Sequence, residues 1–188
     1  MIVKQIFTEI KSAPYDKKIG PDPSSIDSCM IGGIVSNNSS GMCCGVAQNT
    51  YNTIKDLRLI FADGTVLDTS DPESKRAFAR SHGYLLEGLS KLAERVKSNP
   101  DLVAKIKRKY SIKNTMGYSI NAFVDFEDPF EILKHIIVGS EGTLGFIGIA
   151  LFFLFFSCYS LFSCLFSLSS FFSLFLLFRS VLLMIGIR

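Results

Sequence analysis

The stretch Gly139-Ser140-Glu141-Gly142-Thr143-Leu144-Gly145-Phe146-Ile147 gathers three glycines, two hydroxyls and one carboxylate between two apolar segments. Glycines spaced in this way shape a backbone to lie against a flat or phosphorylated ligand, because a residue without Cβ admits positive φ and close approach. A second small-residue stretch runs from Gly32-Gly33 through Ile34-Val35-Ser36-Asn37-Asn38-Ser39-Ser40-Gly41. It opens like a helix whose first N–H groups are free to meet a ligand, and a plain Gly/Ser/Asn loop explains it equally well. His82 and His135 are the two imidazoles of the chain, and both read as structural surface residues, so no catalytic residue is assigned. Cys29, Cys43, Cys44, Cys158 and Cys164 include no Cys-x-x-Cys pair, and adjacent thiolates do not readily clasp one tetrahedral ion, so no metal site is expected. Lys105, Lys107 and Arg108 read as a solvated face rather than an anion site.

The elements that must position these residues are legible in outline. Asp128-Pro129-Phe130-Glu131 is a helix start, with a capping carboxylate and a proline in the first position, and Ile132, Leu133, Ile136 and Ile137 carry the helix toward Gly139. A glycine loop and a strand over 143–149 follow. Helix, glycine loop, strand is the reverse of the order that a dinucleotide-binding βαβ unit or a P-loop requires, which excludes both. Residues 57–61 and 66–69 flank Ala62-Asp63-Gly64-Thr65 as a hairpin, with Asp-Gly suited to a type I′ turn. Apolar residues recur at helical spacing over 73–98 with a break at Gly83, and a short helix over 101–108 follows Pro100. Gly20-Pro21-Asp22-Pro23 is a rigid extended or turn element. The fold class expected is α+β, a small and mainly antiparallel sheet with flanking helices.

The chain of 188 residues carries a net charge of +3, too small to argue for nucleic acid. Its composition divides it into three parts, 1–18, 19–148 and 149–188. Between Glu141 and Arg179 there is no charged residue, a run well past the roughly 20 residues that cross a bilayer. Two readings stand for the Phe/Leu/Ser-rich residues 149–188. One is a transmembrane segment of apolar helices, which would add membrane contact through 149–178. The other is the product of a shifted reading frame, favoured by the low complexity of the tract and its lack of packing glycines and flanking aromatics. The N-terminal segment lacks a signal-peptide core, and the expected location is cytoplasmic.

Taken in order, Met30-Ile31-Gly32-Gly33, Asn37, Gly41 and Gly45, the hairpin Ala62-Asp63-Gly64-Thr65-Val66-Leu67, and Gly139 to Ile147 resemble the FAD-binding domain of the PCMH-type, or vanillyl-alcohol oxidase, flavoproteins. Within that superfamily the chain is similar to the FAD-linked D-lactate and D-2-hydroxyglutarate dehydrogenases, including over Ser111-Ile112-Lys113-Asn114-Thr115-Met116-Gly117-Tyr118. The resemblance covers about residues 19–148 and implies a partial domain, the second subdomain, with residues 1–18 a remnant of the one before it.

The resemblance implies non-covalent FAD. Gly32, Gly33, Gly41 and Gly45 would put backbone against the flavin and its chain, with Pro23 and Asn37 beside them. Gly142, Gly145 and Ile147 would meet the cofactor from the other side, and Glu141 would bond backbone or ribose. In the intact family the flavin takes a hydride from a small D-2-hydroxy acid. The pyrophosphate-gripping turn and the substrate domain have no counterpart in this sequence. The expectation is therefore an FAD-binding fragment of an oxidoreductase, inactive alone and a poor binder of FAD. The alternative is a membrane-anchored, non-catalytic protein that reuses a slice of a flavin domain.

Overall fold

Strand β2 (Ile54–Ile60) is the centre of the architecture. Its side chains alternate at the C-terminal half, with Leu57 and Leu59 buried and Arg58 and Ile60 exposed, the period-2 pattern of a sheet with one covered face. The computed structural model describes residues 17–41, 45–152 and 154–156. Within them β2 pairs antiparallel with β3 (Val66–Asp68) on one side and β4 (Phe146–Phe152) on the other, giving the order β3-β2-β4.

The hairpin between β2 and β3 forms as expected, but its turn does not. A type I′ turn needs positive φ at both central residues, and in this loop only Gly64 has it, at +85°. Asp63 instead accepts from Thr65 N at 3.0 Å and from Thr65 Oγ1 at 2.8 Å. Gly64 N donates to Phe61 O at 2.9 Å, closing a longer loop. Across the hairpin Arg58 Nη2 lies 3.0 Å from Asp68 Oδ2. Thr69 seals its end by accepting from Leu57 N on Oγ1 at 2.9 Å.

On the other side of β2, Leu59 faces Ile147 and Arg58 faces Ile149, so Gly148 is an extra residue in β4 and the strand bulges there. The strand expected over 143–149 therefore starts and ends three residues later. Residues 149–152, expected to open an apolar helical tail, extend the strand, with Phe152 opposite Ile54. Leu154–Phe156 forms β5 against β1 (Lys17–Ile19). Hydropathy alone did not separate a helix from a strand here; the open hydrogen-bonding edge of β2 decides it. The rest of the tract, with its transmembrane and frame-shift readings, lies outside the described residues, as do Cys43, Cys44, Cys158 and Cys164. Among the described residues no helix is long and apolar enough to cross a membrane.

The helices are α1 (Ile31–Ser36), α2 (Thr50–Thr53), α3 (Pro72–Ser81), α4 (Gly83–Lys97), α5 (Pro100–Tyr110), α6 (Ala122–Asp125) and α7 (Pro129–Ile137). Asp71, Asn99 and Asp128 cap α3, α5 and α7 through side-chain oxygens that accept from first-turn N–H groups, each followed by a proline. The break expected at Gly83 is the α3–α4 junction. Leu57, Leu59 and Leu67 of the sheet pack with Phe78, Leu86, Leu89, Ile132 and Ile137 of the helices into one core. Burying each such side chain is worth about 1.5–3 kcal/mol.

Candidate functional site

The glycine loop after α7 is built by main-chain geometry. Gly139, Glu141 and Gly142 all take positive φ, at +87°, +53° and +80°, the region that glycine occupies without strain. The curl turns two loop amides onto the end of α1. Gly139 N donates to Val35 O at 3.1 Å and Glu141 N donates to Ser36 O at 2.9 Å. On the far side Thr143 Oγ1 donates to Ser140 O at 2.6 Å and meets Tyr118 Oη at 2.9 Å. Ser119 Oγ donates to Val138 O at 2.6 Å, strapping the preceding segment to the end of α7.

This docking brings two distant stretches of sequence to one cavity of about 820 Å³, within the roughly 300–1,000 Å³ of small-molecule and cofactor sites. Gly32, Gly33, Gly142, Gly145 and Ile147 all line it, with Ser36 the one hydroxyl side chain among the described residues. Among the described residues none of its walls carries an ionisable group, and Met30, Phe146, Ile149 and Leu151 supply exposed apolar surface. A Cβ added at Gly33 or Gly142 would meet nothing within 4 Å, so these two glycines keep open space open. Gly32 and Gly145 have an internal reason as well: a Cβ there would lie 3.3 Å from Ile147 O and from Ile60 O respectively. This lining suits a largely apolar group against bare backbone.

The other residues expected at the cofactor lie outside this cavity. Asn37 and Glu141 face a separate polar depression of about 380 Å³, shared with Ser39, Ser40, Lys113 and Thr115. Gly41 is buried against Asp22, where a Cβ would collide with both the Asp22 carboxylate and its carbonyl. Gly45 is exposed, with φ of +53°. Pro23 is half-buried and its carbonyl accepts from Ile26 N at 3.0 Å in a turn. None of these three is a wall of the apolar cavity.

His135, expected on a surface, is buried. Nδ1 lies 2.8 Å from Glu131 O, and the ring stacks on Phe126 at 4.0 Å and meets Tyr51 edge-on at 4.9 Å. Burial holds its pKa down at about 4, so it is neutral at pH 7. Tyr51 donates to Asp125 Oδ2 at 2.8 Å. Burial first, and then the Asp125 charge, push its hydroxyl well above the ordinary tyrosine range. His82 bridges α3 to the hairpin, with Nε2 3.0 Å from Asp63 Oδ2 and its ring stacked on Phe78 at 4.6 Å. Neither imidazole lines the apolar cavity. Asn38 was missed as a clamp: it is buried at φ +44°, accepts from Tyr51 N at 3.1 Å and donates to Asn114 O at 3.3 Å. Its signal was the Asn-Asn pair, since asparagine tolerates the left-handed region.

Residues 9–70 match the FAD binding domain family. The chain is 28% identical over 143 residues to a D-2-hydroxyglutarate dehydrogenase of Haemophilus influenzae, a match covering 71% of this chain and 13% of that protein. The chain thus spans about an eighth of the length of that relative. No solved structure matches it. Residues 9–70 are thus similar to an FAD binding domain, which indicates FAD as the cofactor, and the chain is similar over most of its length to this dehydrogenase.

Proposed function

We propose that this chain forms one wall of the flavin seat in an oxidoreductase that oxidises a small D-2-hydroxy acid such as D-lactate or D-2-hydroxyglutarate. The observation that carries the reading is the convergence of Gly32, Gly33, Gly142, Gly145 and Ile147 on one apolar cavity of about 820 Å³. The relative's name supports the class of substrate.

In this reading FAD, when bound, supplies the redox chemistry by accepting a hydride. The chain's own part is positioning. Gly33 and Gly142 leave room for a ring face, and Ile147 and Ala150 give it an apolar floor. No described residue of this wall is ionisable, so none of them is given proton transfer or carboxylate binding. The test is titration of the purified chain with FAD, followed by flavin fluorescence. Quenching that saturates, and that is lost in Gly33→Val and Gly142→Val variants of unchanged circular dichroism, is the expected result. Quenching that survives both changes would place the flavin elsewhere and overturn the reading.

A further inference from the structure

A hollow of about 190 Å³ opens between α2, α6 and the C-terminal end of α5, and it shares no wall residue with the apolar cavity. Asn38, Asn49, Tyr51 and Asn121 on its wall are all buried. Tyr51 Oη donates to Asp125 Oδ2 at 2.8 Å, and Asn121 Nδ2 donates to the same oxygen at 2.9 Å. Asn121 is 6% exposed, and its Oδ1 is buried without a partner. Turning the amide over would set Oδ1 against the Asp125 carboxylate, which fixes the acceptor where it is. Nearly all buried acceptors in folded proteins find a donor. At about 30 Å³ per molecule the hollow has room for about six waters, more than one bridging water needs.

The neighbouring polar groups have turned their donors toward the protein. Nδ2 of Asn52 donates to Val46 O at 2.9 Å, and Nδ2 of Asn114 donates to Met116 O at 3.3 Å. Tyr110 Oη donates to Tyr118 O at 2.8 Å and Ser111 Oγ to Arg108 O at 2.8 Å. What remains is a wall of acceptors with a carboxylate among them, matched by a ligand that brings protons and positive charge. We propose that this hollow binds a small primary ammonium compound, with its ammonium held by Asn121 Oδ1 and the Asp125 carboxylate. Two sources supply that group, an amino acid and a simple amine. Lys107, exposed on the wall, separates them, since its charge attracts the carboxylate of the first and repels the second.

The experiment titrates ethylamine, alanine and propionate into the full chain and its Asn121→Leu, Asp125→Asn and Lys107→Met variants by calorimetry, with circular dichroism to check each fold. Ethylamine, alanine or both should bind and propionate should not, and N121L and D125N should each weaken the binding about tenfold. Should N121L fail to fold, D125N decides, because Asp125 is exposed and keeps its shape as asparagine. Alanine bound more tightly than ethylamine, with the margin lost in K107M, identifies an amino acid. Ethylamine bound more tightly, and tighter still in K107M, identifies a simple amine. Propionate bound as tightly as the ammonium compounds, no binding of either ammonium compound, or an affinity unchanged in D125N overturns the assignment and leaves solvent as the occupant.

Discussion

Replacing His135 with phenylalanine should remove an acid-sensitive component of stability. The imidazole is buried, its ring is stacked 4.0 Å from Phe126, and it faces Glu131, Lys134, Asp125 and Tyr51. Its folded pKa of about 4 lies below the ordinary 6.5. As pH falls from 6.5 the unfolded chain takes up a proton that the folded chain refuses, so unfolding is favoured progressively until pH reaches the folded value. The pKa gap of about 2.5, at about 1.4 kcal/mol each, gives a loss of about 3 kcal/mol between pH 7 and pH 4. Asp63 and Asp68, held below the usual carboxylate range chiefly by hydrogen bonds from Thr65 and Ser70, add losses of the same sign at lower pH. They are common to both proteins and cancel in the difference. The assay is urea unfolding of wild type and H135F at half-unit steps from pH 7.5 to 4. Wild type should lose about 3 kcal/mol more than the variant across that window, with most of the divergence below pH 6. A flat difference, or one that grows toward pH 7.5, would refute the argument that burial controls this imidazole.

Three further outcomes follow from the site and its supports. Asn38→Ala removes the acceptor of Tyr51 N and the donor to Asn114 O; chemical denaturation should show a loss of about 1–3 kcal/mol. Gly41→Ala drives a methyl group into Asp22, and thermal unfolding should report a destabilisation of about 1–3 kcal/mol with no rescue by added FAD. Gly142→Val places a β-branched residue at φ +80°; it should cost about 1–2 kcal/mol in urea and should weaken flavin binding, whereas Gly33→Val should weaken binding alone.

Local signals carried the parts of the fold that local chemistry determines. Asp128 with Pro129 and the glycine break at Gly83 mark helix boundaries that the structure reproduces. The Asp63-Gly64 turn shows the limit of such signals, because the Asp63 carboxylate found Thr65 and drew the loop into a different shape. Composition alone reads residues 149–152 as helix, since it says nothing about which strand edge is vacant, and the pairing partner lies far back in the chain at Ile54 to Arg58. The two glycine stretches were visible as candidate ligand-facing backbone, and five of the ten residues singled out meet in one cavity. Gly41 was indistinguishable from them in sequence because a glycine needed for packing against Asp22 has no signature of its own. The burial of His135 was equally hidden, since its cover comes from Tyr51 and Phe126 in separate elements.

The contact of Glu141 N with Ser36 O involves no side chain at either end. Identity at Ser36 is therefore free to drift over evolutionary time while the architecture around it stays put, whereas position 141 is held to residues that tolerate a φ of +53°. Proline is excluded at 141 altogether: it lacks the amide hydrogen and its ring forbids the φ of +53° observed there.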